Sequence, residues 1–201
     1  SHKDMDEATK EIQSSQLVSR GNKLNTFGEA KIGYGLGTLL SMDDILRFSH
    51  LTNKYKNVHS LWIPETWGRE AFSTLGAISQ VARYTKLGTA ILNIYSRTPS
   101  TIAMGGITLD ILSGNRTLLG LGVSTRPIIE DWHGMDFDKP LARMKEIVAL
   151  LQLIWRGNPV SFKGNFFNLS NFKLLHSPPR ASIPIFLAAV NPLMIALSLS
   201  V

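Results

Sequence analysis

The 201-residue sequence contains no cysteine, which excludes disulfides, thiolate metal sites and a cysteine nucleophile at once. It also lacks any apolar run of the roughly 18–20 residues that a bilayer-spanning helix needs, so no membrane partner is expected. No charged-then-apolar leader opens it, and the expected location is the cytoplasm. Its five histidines, at 2, 50, 59, 133 and 176, have no metal-ligand spacing, and no metal is expected. The net charge is +6, yet Lys and Arg never form the basic run that would point to nucleic acid. A small anionic molecule is at least as good a partner. A G-x-S-x-G elbow is missing as well, which leaves hydrolase chemistry unsupported.

What is present is a sequence 44% hydrophobic, enough for one domain with a sizeable core. Residues 1–30 are polar and read as a mobile extension with at most a short helix over 6–18. From Lys31 onward, short apolar runs alternate with longer amphipathic stretches, the pattern of βα units on a parallel sheet. Strands are expected over 31–37, 59–64, 86–93, within 116–127, and over 183–190. Ser41 opens a helix with Asp43 and Asp44 in its first turn; Pro99 and Gly114 bound another. The stretch 124–140 is long for a βα connection and is a candidate functional loop. A helix over Leu141–Trp155 follows, and Lys163-Gly164-Asn165 marks the turn of a hairpin inserted before the fifth strand. Asn191-Pro192 then opens a last helix.

Gly120 and Gly122 in "RTLLGLGVSTRP" raise the question of a nucleotide cradle. The dinucleotide fingerprint requires a third glycine, and Thr125 stands in its place. The pair either relieves crowding between strands or shapes a ligand-bearing strand end. Ligands of parallel α/β proteins collect at the carboxyl ends of strands, and four ends here are chemically unusual: Trp62–Glu65, Ala90–Asn93, Val123–Thr125 and Ala188–Asn191. Glu65 is either a solvated or helix-capping acid, or a catalytic carboxylate that bonds a cofactor or moves a proton. Asn93 is either a turn residue or an amide for a heterocycle edge. Trp132 and His133 in the long loop are packing or lid residues.

The stretches "HSLWIPETW", "KLGTAILNIYSRTPSTIAMGGITLDILSGNRTLLGLGVS" and "IPIFLAAVNPLMIAL" resemble the bacterial luciferase-like flavin and deazaflavin oxidoreductases. The similarity is greatest to the branch of methylenetetrahydromethanopterin reductase and other coenzyme F420-dependent enzymes, and runs from about residue 31 to 199. It implies a (β/α)8 TIM-type barrel with an insertion before strand five and a cofactor at the carboxyl ends of the strands. It further implies a non-prolyl cis peptide at Ala90–Ile91, a bulge that backs the cofactor ring, with Asn93, Val123 and Ser124 as contacts. Ala189, Val190 and Asn191 match the strand end where the family seats a cofactor phosphate at a helix start, although Asn191 replaces a frequent glycine. Glu65 matches an acidic position that contacts the cofactor, and Thr66 stands where some sugar-phosphate dehydrogenases carry histidine. The implied cofactor is coenzyme F420, with FMN as the alternative, and the implied chemistry is hydride transfer to or from a small organic substrate.

A closed barrel has eight strands and about 250 residues, whereas this sequence supplies five strands and one further helix. Residues 31–201 are therefore expected to form a partial barrel, truncated after the fifth strand and its helix. Its open edges call for another copy, a complementary half or residues 1–30 to cover them, and a homo-oligomer is the expected state. The alternatives are an FMN-dependent monooxygenase of the same family, or a non-catalytic half-barrel that binds a ligand or its own kind.

Overall fold

The computed structural model describes residues 30–199. Apart from Ala30, the extension expected over residues 1–30 lies outside the described residues. The chain divides after Ile32, and the fold that follows is that of the second unit. Strands and helices alternate along it: β1 (Ile32–Gly35), α1 (Met42–Leu51), β2 (Val58–Ile63), α2 (Ala71–Val81), β3 (Lys86–Thr89) and β4 (Leu92–Asn93). Then come α3 (Pro99–Ser113), β5 (Thr117–Gly122), α4 (Pro140–Trp155), the hairpin β6 (Val160–Lys163) and β7 (Asn168–Phe172), β8 (Ile185–Leu187) and α5 (Pro192–Ser198).

The helix starts are set by side chains that satisfy free backbone donors. Ser41 accepts from the Asp44 N–H at 3.1 Å, and Thr98 accepts from the Thr101 N–H at 3.2 Å with Pro99 behind it. Gly114, at φ 66°, ends α3 in the left-handed conformation. While β6 and β7 pair antiparallel with each other, in the main sheet β2 pairs in parallel with β3, β3 and β4 with β5, and β5 with β8. Alternation divides their side chains between two faces. Leu61, Ile63, Leu87, Leu119 and Leu121 join the core with Leu75, Ile78, Ile102, Ile147, Leu151 and Trp155 of the helices. On the other face Trp62 lies over Gly88 and meets Phe186 edge to face at 5.4 Å.

The strand expected over 86–93 is interrupted. Leu87 pairs with Thr117 and Gly88 with Leu118, but beyond the break Leu92 pairs with Leu121 and Asn93 with Gly122. The chain thus takes four steps where β5 takes three, which is a one-residue bulge. Gly120 faces the gap, and the Thr89 hydroxyl fills it. The Gly120 N–H donates to Thr89 Oγ1 at 2.9 Å, and Oγ1 donates to the Gly120 carbonyl at 2.7 Å. A Cβ on Gly120 would collide with the Thr89 carbonyl oxygen, and one on Gly122 would lie 2.7 Å from Ile91 Cδ1. Both glycines are there because the bulge leaves no room for a side chain.

The expected fifth strand shrinks to β8, which is fixed from below. Arg180 donates through Nε and Nη2 to the fully buried Asp110 carboxylate, both at 2.8 Å, and through Nη2 to the Thr117 carbonyl at 2.7 Å. Thr117 N–H donates to the same carboxylate at 3.1 Å, so one ion pair ties α3, β5 and the approach to β8 together. The hairpin forms where its turn residues indicate, and Glu146 of α4 accepts from the N–H groups of Asn165, Phe166 and Phe167 at 2.7–3.3 Å.

The bulge makes a graded prediction. Gly120→Ala meets a backbone oxygen and is expected to lower unfolding free energy by about 3 kcal/mol, while Gly122→Ala meets a movable side chain and costs about 1 kcal/mol. Thr89→Val takes the partner of the Gly120 N–H away, at about 1–3 kcal/mol. Urea unfolding measures all three, and equal losses at the two glycines would contradict the assigned cause.

Candidate active site

Parallel pairing carries the carboxyl ends of β2, β4, β5 and β8 to one edge of the sheet. The neighbouring ends of β4, β5 and β8 are brought side by side, with Asn93 against Gly122 and Leu187 against Leu121. The Ala90–Ile91 peptide is cis, with Ala90 exposed and the Ile91 side chain seated against Gly122. Val123 packs on the core, and Ser124 leaves the strand at φ 59°. Ala189 is half-buried, whereas Val190 is almost fully exposed.

Two amides at these ends serve the backbone. Asn93 is buried, and its Oδ1 accepts from the N–H groups of Tyr95 at 3.0 Å and Ser96 at 2.8 Å. Its carbonyl therefore makes the turn out of β4, the first of the two roles open to it in the sequence. Asn191 Oδ1 accepts from the Met194 N–H at 3.0 Å and caps α5.

Glu65 is likewise tied. Arg97, in the loop after β4, donates Nη1 to Oε1 at 2.5 Å and Nη2 to Oε2 at 2.8 Å, and the Ala71 N–H donates to Oε2 at 2.8 Å. The Glu65 side chain is only 12% exposed. Its oxygens thus cap the start of α2 and hold Arg97, which the sequence offered as one reading of this acid. Arg97 also reaches Glu70 Oε1 at 2.5 Å, and Glu70 accepts from the N–H groups of Phe72 and Ser73 at 3.1 and 2.6 Å. Burial pushes the Glu70 carboxyl up, but these hydrogen bonds and Arg97 outweigh it and hold it below its ordinary value.

Two adjoining clefts open beside this cluster. The first, about 360 Å³, lies between Glu65, Trp67, Arg69, Arg97 and His133. The second, about 320 Å³, lies between Tyr95, Thr98, Met135, Arg143 and Phe167, and shares Ser96, Arg97 and His133 with the first. From the long loop 124–140, His133 borders both clefts and Met135 the second. The loop contains a wide turn, Ile128–Trp132, in which the His133 N–H reaches back to the Ile128 carbonyl at 3.1 Å. Buried Ile129 anchors it, Phe137 stacks on Tyr95 at 5.3 Å, and Trp132 meets Trp67 edge to face at 5.2 Å. Arg97, Tyr95 and Arg143 were not singled out in the sequence; "SRTPS" carried Arg97 only as part of a resemblance.

The Glu70 shift has a definite sign. Because its folded-state carboxyl titrates below the ordinary 4.5, it stabilises the fold above that pH and loses the contribution as pH falls through the folded value. The stability gap between the wild type and Glu70→Gln, read by urea unfolding, should therefore be larger at about pH 6 than at about pH 3.

The description "luciferase-like monooxygenase" belongs to the family model that matches residues 56–201. A Mycobacterium tuberculosis protein named, by inference, as a coenzyme F420-dependent oxidoreductase is 36% identical over 151 residues, 69% of this chain and 44% of that protein. The coenzyme F420-dependent tetrahydromethanopterin reductase of Methanopyrus kandleri superposes with a TM-score of 0.74 at 21% identity, over 84% of this chain and 52% of that one. The oxygenating constituent of 3,6-diketocamphane monooxygenase from Pseudomonas putida, a type II Baeyer–Villiger enzyme in complex with FMN, superposes at 0.66 with 16% identity, over 79% and 50%. At such identities these structures bear on the fold alone, and they agree with a partial (β/α)8 barrel. The chain spans about half the length of these relatives.

Proposed function

This chain belongs to the luciferase-like monooxygenase family, and on that footing we propose that it forms the amino-terminal part of an oxidoreductase that binds coenzyme F420 at the carboxyl edge of its sheet. FMN is the alternative occupant. The observation that carries the reading is the alignment of three neighbouring strand ends, β4, β5 and β8, around the exposed Ala90. In this reading a flat ring lies against Ala90, with Val123 and Ser124 beside it. The names of the F420-dependent relatives and the +6 net charge favour F420, whose phosphate and glutamyl tail are acidic.

When bound, F420 supplies hydride transfer at C5 of its deazaflavin ring to or from a small organic substrate. The chain's own residues orient and shield. Asn93, locked by its turn, has its amide nitrogen left for the ring edge, and Ala189, Val190 and Asn191 line the path of the phosphate-bearing tail. Glu65 acts here as a positioning residue: it fixes Arg97 at the floor of both clefts, where the substrate would approach. Trp67 and Trp132 at the cleft mouth limit water.

Spectrophotometric titration with F420 and with FMN tests the proposal. Saturable binding of F420 below about 100 µM is expected, with FMN weaker. Ala90→Phe, at an exposed position, should weaken binding at least tenfold, about 1.4 kcal/mol, without moving the urea midpoint. Failure of both cofactors to bind at high micromolar concentration would refute it.

A further inference from the structure

The second cleft holds a cation with no anionic partner among the described residues. Arg143 projects from the first turn of α4, and among the described residues no carboxylate forms an ion pair with it; its buried Nε has no hydrogen-bond acceptor. The neighbouring acid on the same helix, Glu146, is engaged by the N–H groups of the hairpin turn. Arg97, the other arginine of the cleft, is neutralised by Glu65 and Glu70. Arg143 is instead held by rings, its guanidinium lying 4.9 Å from Tyr95, 4.8 Å from Phe166 and 5.4 Å from Phe167.

Rings on the faces of a guanidinium restrict its rotation and leave its in-plane N–H donors for another group. A planar fork of that kind matches a carboxylate or phosphate, which accepts two parallel hydrogen bonds. The cleft that Arg143 borders has room for a small anion, and Ser96 and Thr98 add hydroxyls on its wall. Phe167 and Met135 supply an apolar side. We propose that this cleft is an oxyanion seat, with Arg143 as its charged anchor, that receives the carboxylate or phosphate group of an organic substrate. That the seat serves the substrate rests on the function proposed above; that it binds an oxyanion rests on the cleft alone.

The test uses the chain without any cofactor, so that failure of cofactor binding leaves its readout intact. In a 1H–15N NMR titration at constant ionic strength, inorganic phosphate and succinate are added in separate arms to distinguish the two sources of the anion. Saturable shifts at Ser96, Thr98 and Arg143 are expected with at least one of them. Arg143→Met should weaken that binding at least tenfold, and Arg143→Lys should fall between. Met135→Glu, at an exposed position that borders only this cleft, puts a carboxylate beside the seat and should weaken binding as strongly even if Arg143→Met fails to fold. Absence of saturation by about 50 mM of either anion would overturn the proposal. Binding that survives both Arg143→Met and Met135→Glu, or Met135→Glu alone where the arginine variant does not fold, would overturn it equally.

Discussion

A single hydroxyl makes the site's geometry possible. Where one extra residue enters between β3 and β4, the ladder to β5 breaks, and the Thr89 hydroxyl turns to the N–H and carbonyl of Gly120. Thr89 Oγ1 satisfies both, at 2.9 and 2.7 Å. Without that bridge, the buried N–H of Gly120 would oppose the bulge. With it, the strand resumes in parallel on the same neighbour, and Asn93 arrives beside Gly122. The turn made by Asn93 then sets the direction of Tyr95, Ser96 and Arg97, and through them the floor of both clefts.

The carboxylates show a second regularity. Glu65, Glu70, Asp110 and Glu146 each accept from at least one backbone N–H, and the first three also hold an arginine. A partly buried carboxylate is tolerable when its oxygens are engaged in this way, and each such acid joins elements distant in sequence. The acid most suggestive of catalysis in the sequence, Glu65, is among the most thoroughly engaged. None of these four carboxylates is therefore left as a free acid.

The order of the elements was legible because it rests on local signals. Ser41, Thr98 and Gly114 cap helices through their own neighbours, and the hairpin turn at Lys163–Asn165 needs only its own residues. The family resemblance also marked Ala90–Ile91, whose peptide is cis, and named the strand ends that parallel pairing then gathers. The bulge at Ala90–Ile91 was implied by the resemblance but not by the residues themselves, because Thr89, Ala90 and Ile91 continue the strand pattern and the register change is visible only against β5. Glu65 was ambiguous for a related reason. Its partner Arg97 is 32 positions away, and no periodicity relates the two. The meaning of Gly120 and Gly122 was equally non-local, since what excludes a side chain there belongs to another strand.

This division between local and distant determinants bears on how the family diversifies. The edge where a cofactor ring would lie is made largely of backbone: a bulge, two glycines and three strand ends aligned by parallel pairing. Backbone geometry of that kind survives extensive side-chain change, which is why the architecture is recognisable at 21% identity. The clefts beside it are made of side chains from loops, Trp67 and Arg97 on one flank, His133 and Met135 on another, with Arg143 entering from α4. Substitution in those loops leaves the sheet pairing untouched, so the ligand can change while the ring seat does not. The separation also explains the unpaired state of Arg143. Arg180 is neutralised by Asp110 and Arg116 spends its donors on backbone carbonyls, whereas Arg143 is restrained by rings and, among the described residues, has no ion pair beside an open cleft.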